Sequence, residues 1–205
     1  MIDGWEGDNV IYGNEGDDWL AASPEDGDMN EIWGGTGNDY IILFSGNTAD
    51  DLHGGEGDDT IIGNNGADDI YGGDGDDEID GGDGDDEIWG GDGDDILKAG
   101  GNELGSINQD VVHGGAGDDL IYGGSGPGFG GGSADVTDSK YLYGDEGHDS
   151  IWGSSNLDGQ YIKGGSGDDI IRSGDRPINS IIFGNEGDDI IYPADNGNGN
   201  GHNGI

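Results

Sequence analysis

The chain has no cysteine, which excludes disulfides and thiolate metal sites. It is almost as poor in cations: 5 Lys plus Arg stand against 47 Asp plus Glu, for a net charge of −42. A polyanion of this kind is repelled by nucleic acid and by anionic lipid, so neither is expected as a partner. No stretch is long and apolar enough to span a bilayer. The N-terminus, Met1-Ile2-Asp3-Gly4-Trp5, lacks the basic segment and apolar run of a cleavable signal peptide. Apolar residues make up only 30% of the 205. Composition alone therefore describes an unfolded acidic polymer.

What opposes that reading is order. The 50 glycines recur in register with aspartate and with Ile or Leu. The clearest stretch is Gly72–Lys98, three tandem nonapeptides beginning Gly-Gly-Asp-Gly-Asp-Asp (72–80, 81–89 and 90–98). Each fits G-G-x-G-x-D-x-U-x, where U is a large aliphatic residue. The same unit occurs at 4–12 (with Asn9 at the sixth position), 13–21, 34–42 and 54–62, and then continuously from Gly54 to Lys98. Beyond that, regular units at 114–122, 144–152, 164–172 and 184–192 alternate with irregular stretches of varying length. One domain is expected over residues 1–192, followed by a flexible Asn/Gly-rich tail over 193–205.

This nonapeptide, repeated in register over nearly the whole chain, resembles the calcium-binding repeat of the RTX (repeats-in-toxin) family. The resemblance implies an all-β fold, a right-handed parallel β-roll (a β-solenoid) with two nonapeptides per coil. Each unit supplies a Gly/Asp turn and a short x-U-x strand. Stacking the units that start at 13, 34, 54, 72, 90, 114, 144, 164 and 184 gives about nine coils. One side is then regular throughout, and every insertion, including the Gly-rich 123–133 segment, is a loop on the other. The inward residues would be Leu20, Ile41, Ile61, Ile79, Leu97, Ile121, Ile151, Ile171 and Ile191 on the regular side. Opposite them would lie Ile11, Ile32, Leu52, Ile70, Ile88, Val112, Leu142, Ile162 and Ile182. One aliphatic residue per strand, about 1.5–3 kcal/mol each, is too thin a core to order the backbone alone.

Calcium is the implied remedy, since a hard cation takes six or more oxygen ligands and this chain offers carboxylates and glycine carbonyls. By the resemblance, the ligands on the regular side are Asp18, Asp39, Asp59, Asp77, Asp95, Asp119, Asp149, Asp169 and Asp189. On the decorated side Asp68 and Asp86 sit in full motifs, and Asp50 and Asp110 extend the set. Lys140, Gln160 and Ser180 occupy the later equivalents, so no calcium stack is expected there. About ten Ca²⁺ ions would cancel roughly half of the net charge. Asp76-x-Glu78-x-Asp80-Gly81-x₅-Glu87 nearly matches an EF-hand loop, but its third position is Glu and no helix can flank it. The glycine runs are not phosphate cradles, because neither a basic residue nor a helix follows them.

The residue after each inward aliphatic on the decorated side faces outward: Tyr12, Trp33, His53, Tyr71, Trp89, His113, Tyr143, Lys163 and Phe183. Its rings are either cross-strand stacks that stabilise the sheet or a face for a glycan or a second solenoid. No nucleophile–His–Asp grouping is visible, and four scattered histidines do not make a zinc site. The chain is therefore expected to be a non-catalytic calcium-binding structural or interaction module. Residence outside a bacterial cell, after type I secretion, is implied by the resemblance, with assembly end to end or through the aromatic face. The alternatives are the calcium-dependent folding and export segment of a larger secreted enzyme or toxin, and a polysaccharide-binding module.

Overall fold

The computed structural model describes residues 1–5, 7–23, 27–44, 46–100, 109–124, 140–153, 159–174 and 180–192. These form no helix, and hence none long and apolar enough to cross a membrane. A first strand, β1 (Ile2–Gly4), precedes nine strand pairs. In order these are β2 (Val10–Glu15) and β3 (Trp19–Ala22), β4 (Glu31–Thr36) and β5 (Tyr40–Leu43), and β6 (Asp51–Glu56) and β7 (Thr60–Ile62). Then come β8 (Asp69–Asp74) and β9 (Glu78–Asp80), β10 (Glu87–Asp92) and β11 (Ile96–Lys98), and β12 (Val111–Ala116) and β13 (Leu120–Tyr122). The last are β14 (Tyr141–Glu146) and β15 (Ser150–Trp152), β16 (Tyr161–Ser166) and β17 (Ile170–Arg172), and β18 (Ile181–Glu186) and β19 (Ile190–Tyr192).

Odd-numbered strands make one 10-stranded sheet and even-numbered strands a 9-stranded sheet, each in sequence order. Every pairing is parallel. The result is a parallel β-solenoid whose chain crosses from one sheet to the other at every turn. Sheet pairing therefore never depends on a turn of fixed length. Thirty residues separate Leu142 from Val112 but only eighteen separate Ile88 from Ile70, and both pairs are in register.

The core is the double row of aliphatics read from the repeat. Leu20, Ile32, Ile41, Leu52, Ile61, Ile70, Ile79, Ile88, Leu97, Val112, Ile121, Leu142, Ile151, Ile162 and Ile171 are fully buried, and Ile11 nearly so. At the C-terminal end Ile182 is partly buried and Ile191 is 40% exposed, because no described coil follows to cover them.

The structure departs from the sequence expectation in two places. First, the even-numbered strands run six residues, not three: β4 (Glu31–Thr36) continues through the first glycines of the next unit, and Gly35 pairs with Gly55. The glycine pair belongs to the sheet before it starts the turn. Gly35 has φ +119°, where an added Cβ would run into the backbone of Asn14. At equivalent places stand Asn14, Asp145 and Asn185, which also take positive φ (78°, 73° and 79°), as short polar side chains tolerate. Second, β1 adds a strand the repeat pattern does not announce, with Ile2 level with Leu20. The Gly-rich segment from 125 and the tail 193–205 lie outside the described residues.

Candidate metal centre

Each coil has two turns. One joins an even strand to the following odd strand and always holds an uninterrupted repeat; the other joins odd to even and holds every insertion. On the regular edge the sixth-position aspartates form one hydrogen-bonded column. The backbone N–H of Asp18 donates to Oδ1 of Asp39 (2.8 Å), Asp39 to Asp59 (2.6 Å), Asp59 to Asp77 (2.8 Å) and Asp77 to Asp95 (2.8 Å). The column continues from Asp95 to Asp119 (2.9 Å), Asp149 (2.9 Å), Asp169 (3.0 Å) and Asp189 (3.1 Å). One carboxylate oxygen thus fixes the turn geometry.

The other oxygen is left over. Oδ2 of Asp39, Asp59, Asp77, Asp95, Asp119, Asp149 and Asp169 is buried with no hydrogen-bond partner. An unsatisfied buried carboxylate oxygen is costly and calls for a counter-charge. The first glycine of each unit shows what lies beside it. A methyl group on Gly34 would overlap Oδ2 of Asp39 and meet the carbonyl oxygen of Gly54 in the next coil. The same oxygen pair recurs at Gly54, Gly72, Gly90, Gly114, Gly144 and Gly164. A carboxylate and a carbonyl from neighbouring coils therefore converge beside the first glycine, at a distance that only a residue without a Cβ allows. Asp18 and Asp189, at the two ends of the column, are less buried.

Among the described residues, no three carboxylate or imidazole side chains surround one point. Stacking explains this, because each coil contributes one carboxylate to the column and coils repeat at the strand spacing of about 4.8 Å. What each level offers an ion is a carboxylate oxygen beside a backbone carbonyl, an all-oxygen donor set suited to calcium. The buried oxygens and the glycine-lined cradle fit that ion.

Without a cation the column repels itself. Two carboxylates about 4.8 Å apart at an effective dielectric of about 20 oppose each other by about 3–4 kcal/mol. Burial, more than neighbouring charge, pushes these aspartates upward: Asp59 and Asp149 to about 6, Asp95 to about 7, and Asp77 and Asp119 to about 8. Asp39 and Asp169 are raised for the same reason.

The decorated edge repeats this arrangement for part of its length. Asn30 donates its N–H to Oδ1 of Asp50 (2.6 Å), Asp50 to Asp68 (2.9 Å), Asp68 to Asp86 (3.0 Å) and Asp86 to Asp110 (3.1 Å). Oδ2 of Asp50, Asp68 and Asp86 is again buried and unpartnered. Burial raises Asp50, and takes Asp68 to about 8 and Asp86 to about 7. The column ends at Asp110, whose Oδ2 accepts from the Nζ of Lys140.

Sequence reasoning missed a second, outer column on the regular edge, built by the fifth repeat position. There Asn38, Asp58, Asp76, Asp94, Asp118 and His148 donate their N–H groups to Asp17, Asn38, Asp58, Asp76, Asp94 and Asp118 of the preceding coil (2.8–3.1 Å). Asp168 donates to Nδ1 of His148 and Asp188 to Asp168. The signal was present in the sequence: on the regular edge the fifth position is Asp or Asn in every unit except the one holding His148.

The aromatic row stacks along the solenoid. Trp33–His53, His53–Tyr71, Tyr71–Trp89, Trp89–His113 and His113–Tyr143 have centroids 3.6, 4.7, 4.5, 6.2 and 4.5 Å apart, with planes within 9°. Past Tyr143 the row holds Lys163, and the unanticipated Tyr161 packs at a tilt against Tyr143 and Phe183. Tyr12, at the other end, is 53% exposed. From Trp33 to Tyr143 the rings lie nearly parallel, each facing the next, which is a stack rather than a flat platform.

A family model described as the RTX calcium-binding nonapeptide repeat (4 copies) matches residues 1–23, 26–47, 44–79, 71–102, 104–128, 141–158, 160–175 and 179–200. The chain belongs to that family. RTX repeats bind calcium, so the cradle of aspartates and carbonyls described above is found in a chain built of such repeats. A search of curated proteins finds no match.

Proposed function

We propose that this RTX chain is a non-catalytic structural or interaction module that works outside a bacterial cell and folds when it binds calcium. The observation that carries the reading is the unbroken column of buried, unpartnered Oδ2 atoms on the regular edge, each beside a carbonyl of the next coil. The calcium ligands would be Asp18, Asp39, Asp59, Asp77, Asp95, Asp119, Asp149, Asp169 and Asp189 on the regular edge and Asp50, Asp68 and Asp86 on the decorated one. About ten ions would then be held by a single domain over residues 1–192.

Magnitudes support the folding step. Extracellular calcium modules bind at ~10⁻⁴–10⁻³ M, and tenfold excess over such a Kd stabilises by about 1.4 kcal/mol per site. About ten sites would together contribute on the order of 14 kcal/mol, comparable to the whole stability of an ordinary domain. In calcium-poor cytoplasm the same column would repel itself and the chain would stay unfolded, ready for export. Once outside, the roll would stack end to end or present its aromatic edge to a partner.

Far-UV circular dichroism during a calcium titration, with light scattering on the same sample, tests this. A coil-to-β transition at ~0.1–1 mM calcium and none with magnesium is the expected result. A chain still unfolded at ~10 mM calcium would overturn it. Scattering that rises with the transition favours assembly. A monodisperse monomer favours the second reading, a folding and export segment of a larger secreted protein. The glycan-binding reading is the least supported, because the stacked rings of β4 to β14 cover one another's faces.

A further inference from the structure

The regular edge keeps its aspartate column through every coil, yet the decorated edge stops after Asp110, and a lysine follows. This matters because cations are scarce: Lys140 is one of 5 Lys plus Arg in the chain, and it is only 2% exposed. It stands in the ladder position itself. The N–H of Tyr141 donates to the carbonyl of Asp110 (2.9 Å), as the N–H of Val111 does to Asp86 one coil earlier (2.8 Å). The Nζ of Lys140 meets Oδ2 of Asp110, the atom whose counterparts in Asp50, Asp68 and Asp86 have no partner.

We infer that the ammonium group of Lys140 is a tethered cation that serves the Asp110 rung in place of calcium, making the decorated edge metal-independent from that coil onward. The inference rests on the calcium reading above. Two features of the chain explain the substitution. In the full motif the first glycine precedes the ladder aspartate by five residues, as Gly63 precedes Asp68 and Gly81 precedes Asp86. Before Asp110 and Lys140 the connections from the preceding odd strand are 12 and 18 residues long, from 99 to 110 and from 123 to 140, and the motif is lost. A calcium ion needs six or more oxygens at fixed places, whereas an ammonium has three donors and travels on its own chain. The positions that follow, Gln160 and Ser180, carry no charge to neutralise. The long insertions can thus interrupt this edge without leaving a carboxylate uncompensated.

The test is a double-mutant cycle on the full chain with Lys140→Met and Asp110→Asn, read as Tm at ~1 and ~10 mM calcium. Lys140→Met is expected to lower Tm by several degrees at both concentrations, and adding Asp110→Asn is expected to recover most of the loss. A Lys140→Met protein with the wild-type Tm would overturn the inference, as would a deficit that the higher calcium abolishes. A wild-type chain that fails to fold with calcium at all would instead sink the calcium reading.

Discussion

The two turn edges are made from the same residues and joined to the same sheets, but they accept change differently. On the regular edge one repeat of fixed length links every even strand to the next odd strand, and eight successive N–H to carboxylate bonds run from Asp18 to Asp189. On the decorated edge four such bonds span Asn30 to Asp110, and then the column gives way to Lys140, Gln160 and Ser180. The difference teaches where the solenoid takes its order from. A column of buried carboxylates needs the same local geometry at each level, and the edge that carries it from end to end keeps its repeat uninterrupted. The edge that takes the insertions carries its column across some of them, as from Asp86 to Asp110, but not through every coil.

The largest effect should come from changing proton and metal supply together. Ordinary aspartates titrate at 3.8, while folded Asp77 and Asp119 are raised to about 8 and Asp59 and Asp149 to about 6. In chelator the folded state therefore binds more protons than the unfolded one between pH 4 and 8. Its stability is greatest below about pH 4 and falls as pH rises through 6 to 8. Circular dichroism in EDTA should show β structure gained on acidification from pH 8 to 4. With calcium the dependence should reverse, because the ion competes with those protons and its apparent affinity rises with pH. Equal signals in EDTA at both pH values would break the argument.

Next in size is Asp77→Asn, in the middle of the regular column. It keeps an oxygen for the N–H of Asp59 but removes the charge beside Gly72. It should raise the calcium midpoint severalfold and cut bound calcium by at least one ion per chain, measured by equilibrium dialysis. Asp68→Asn should do the same to a lesser degree, since its column is shorter.

Tyr71→Ala removes two stacked contacts, to His53 and Trp89. Aromatic pairs contribute about 0.5–1.5 kcal/mol each beyond area burial, so a loss of about 1–3 kcal/mol is expected in calorimetry, with calcium stoichiometry unchanged. The smallest effect belongs to Asp76→Asn in the outer column. The amide oxygen of Asn38 already accepts the N–H of Asp58 at 3.1 Å, so a change within about 0.5 kcal/mol is expected. A large loss would mean that the outer column also holds metal.

Much of this was legible because the repeat is short and its positions are chemically distinct. The eighth-position aliphatic survives through the irregular units and gave the strand register and the core, while the sixth-position aspartate, kept in every unit of the regular edge, marked the deep carboxylates there. The identity of the even-strand extension was hidden, since Gly34 and Gly35 read as turn residues whether or not they pair first. The outer column was hidden for a related reason: an exposed Asp or Asn is ordinary in any turn, and only stacking gives it a donor. Lys140 was readable as the end of the aspartates, while its contact with Asp110 depends on two segments thirty residues apart being neighbours.

The sequence by itself determined the repeat, the aliphatic in each unit and the acidity, because each follows from residue type at a fixed period, and the two-sided coil was what the resemblance to RTX repeats implied. Tertiary structure alone decided which oxygen of each aspartate is committed and which is left over. It also decided that the rings face one another and that one buried lysine meets the last aspartate of its column. Those are relations between coils, and they exist only once parallel stacking brings residues eighteen to thirty positions apart to one strand spacing.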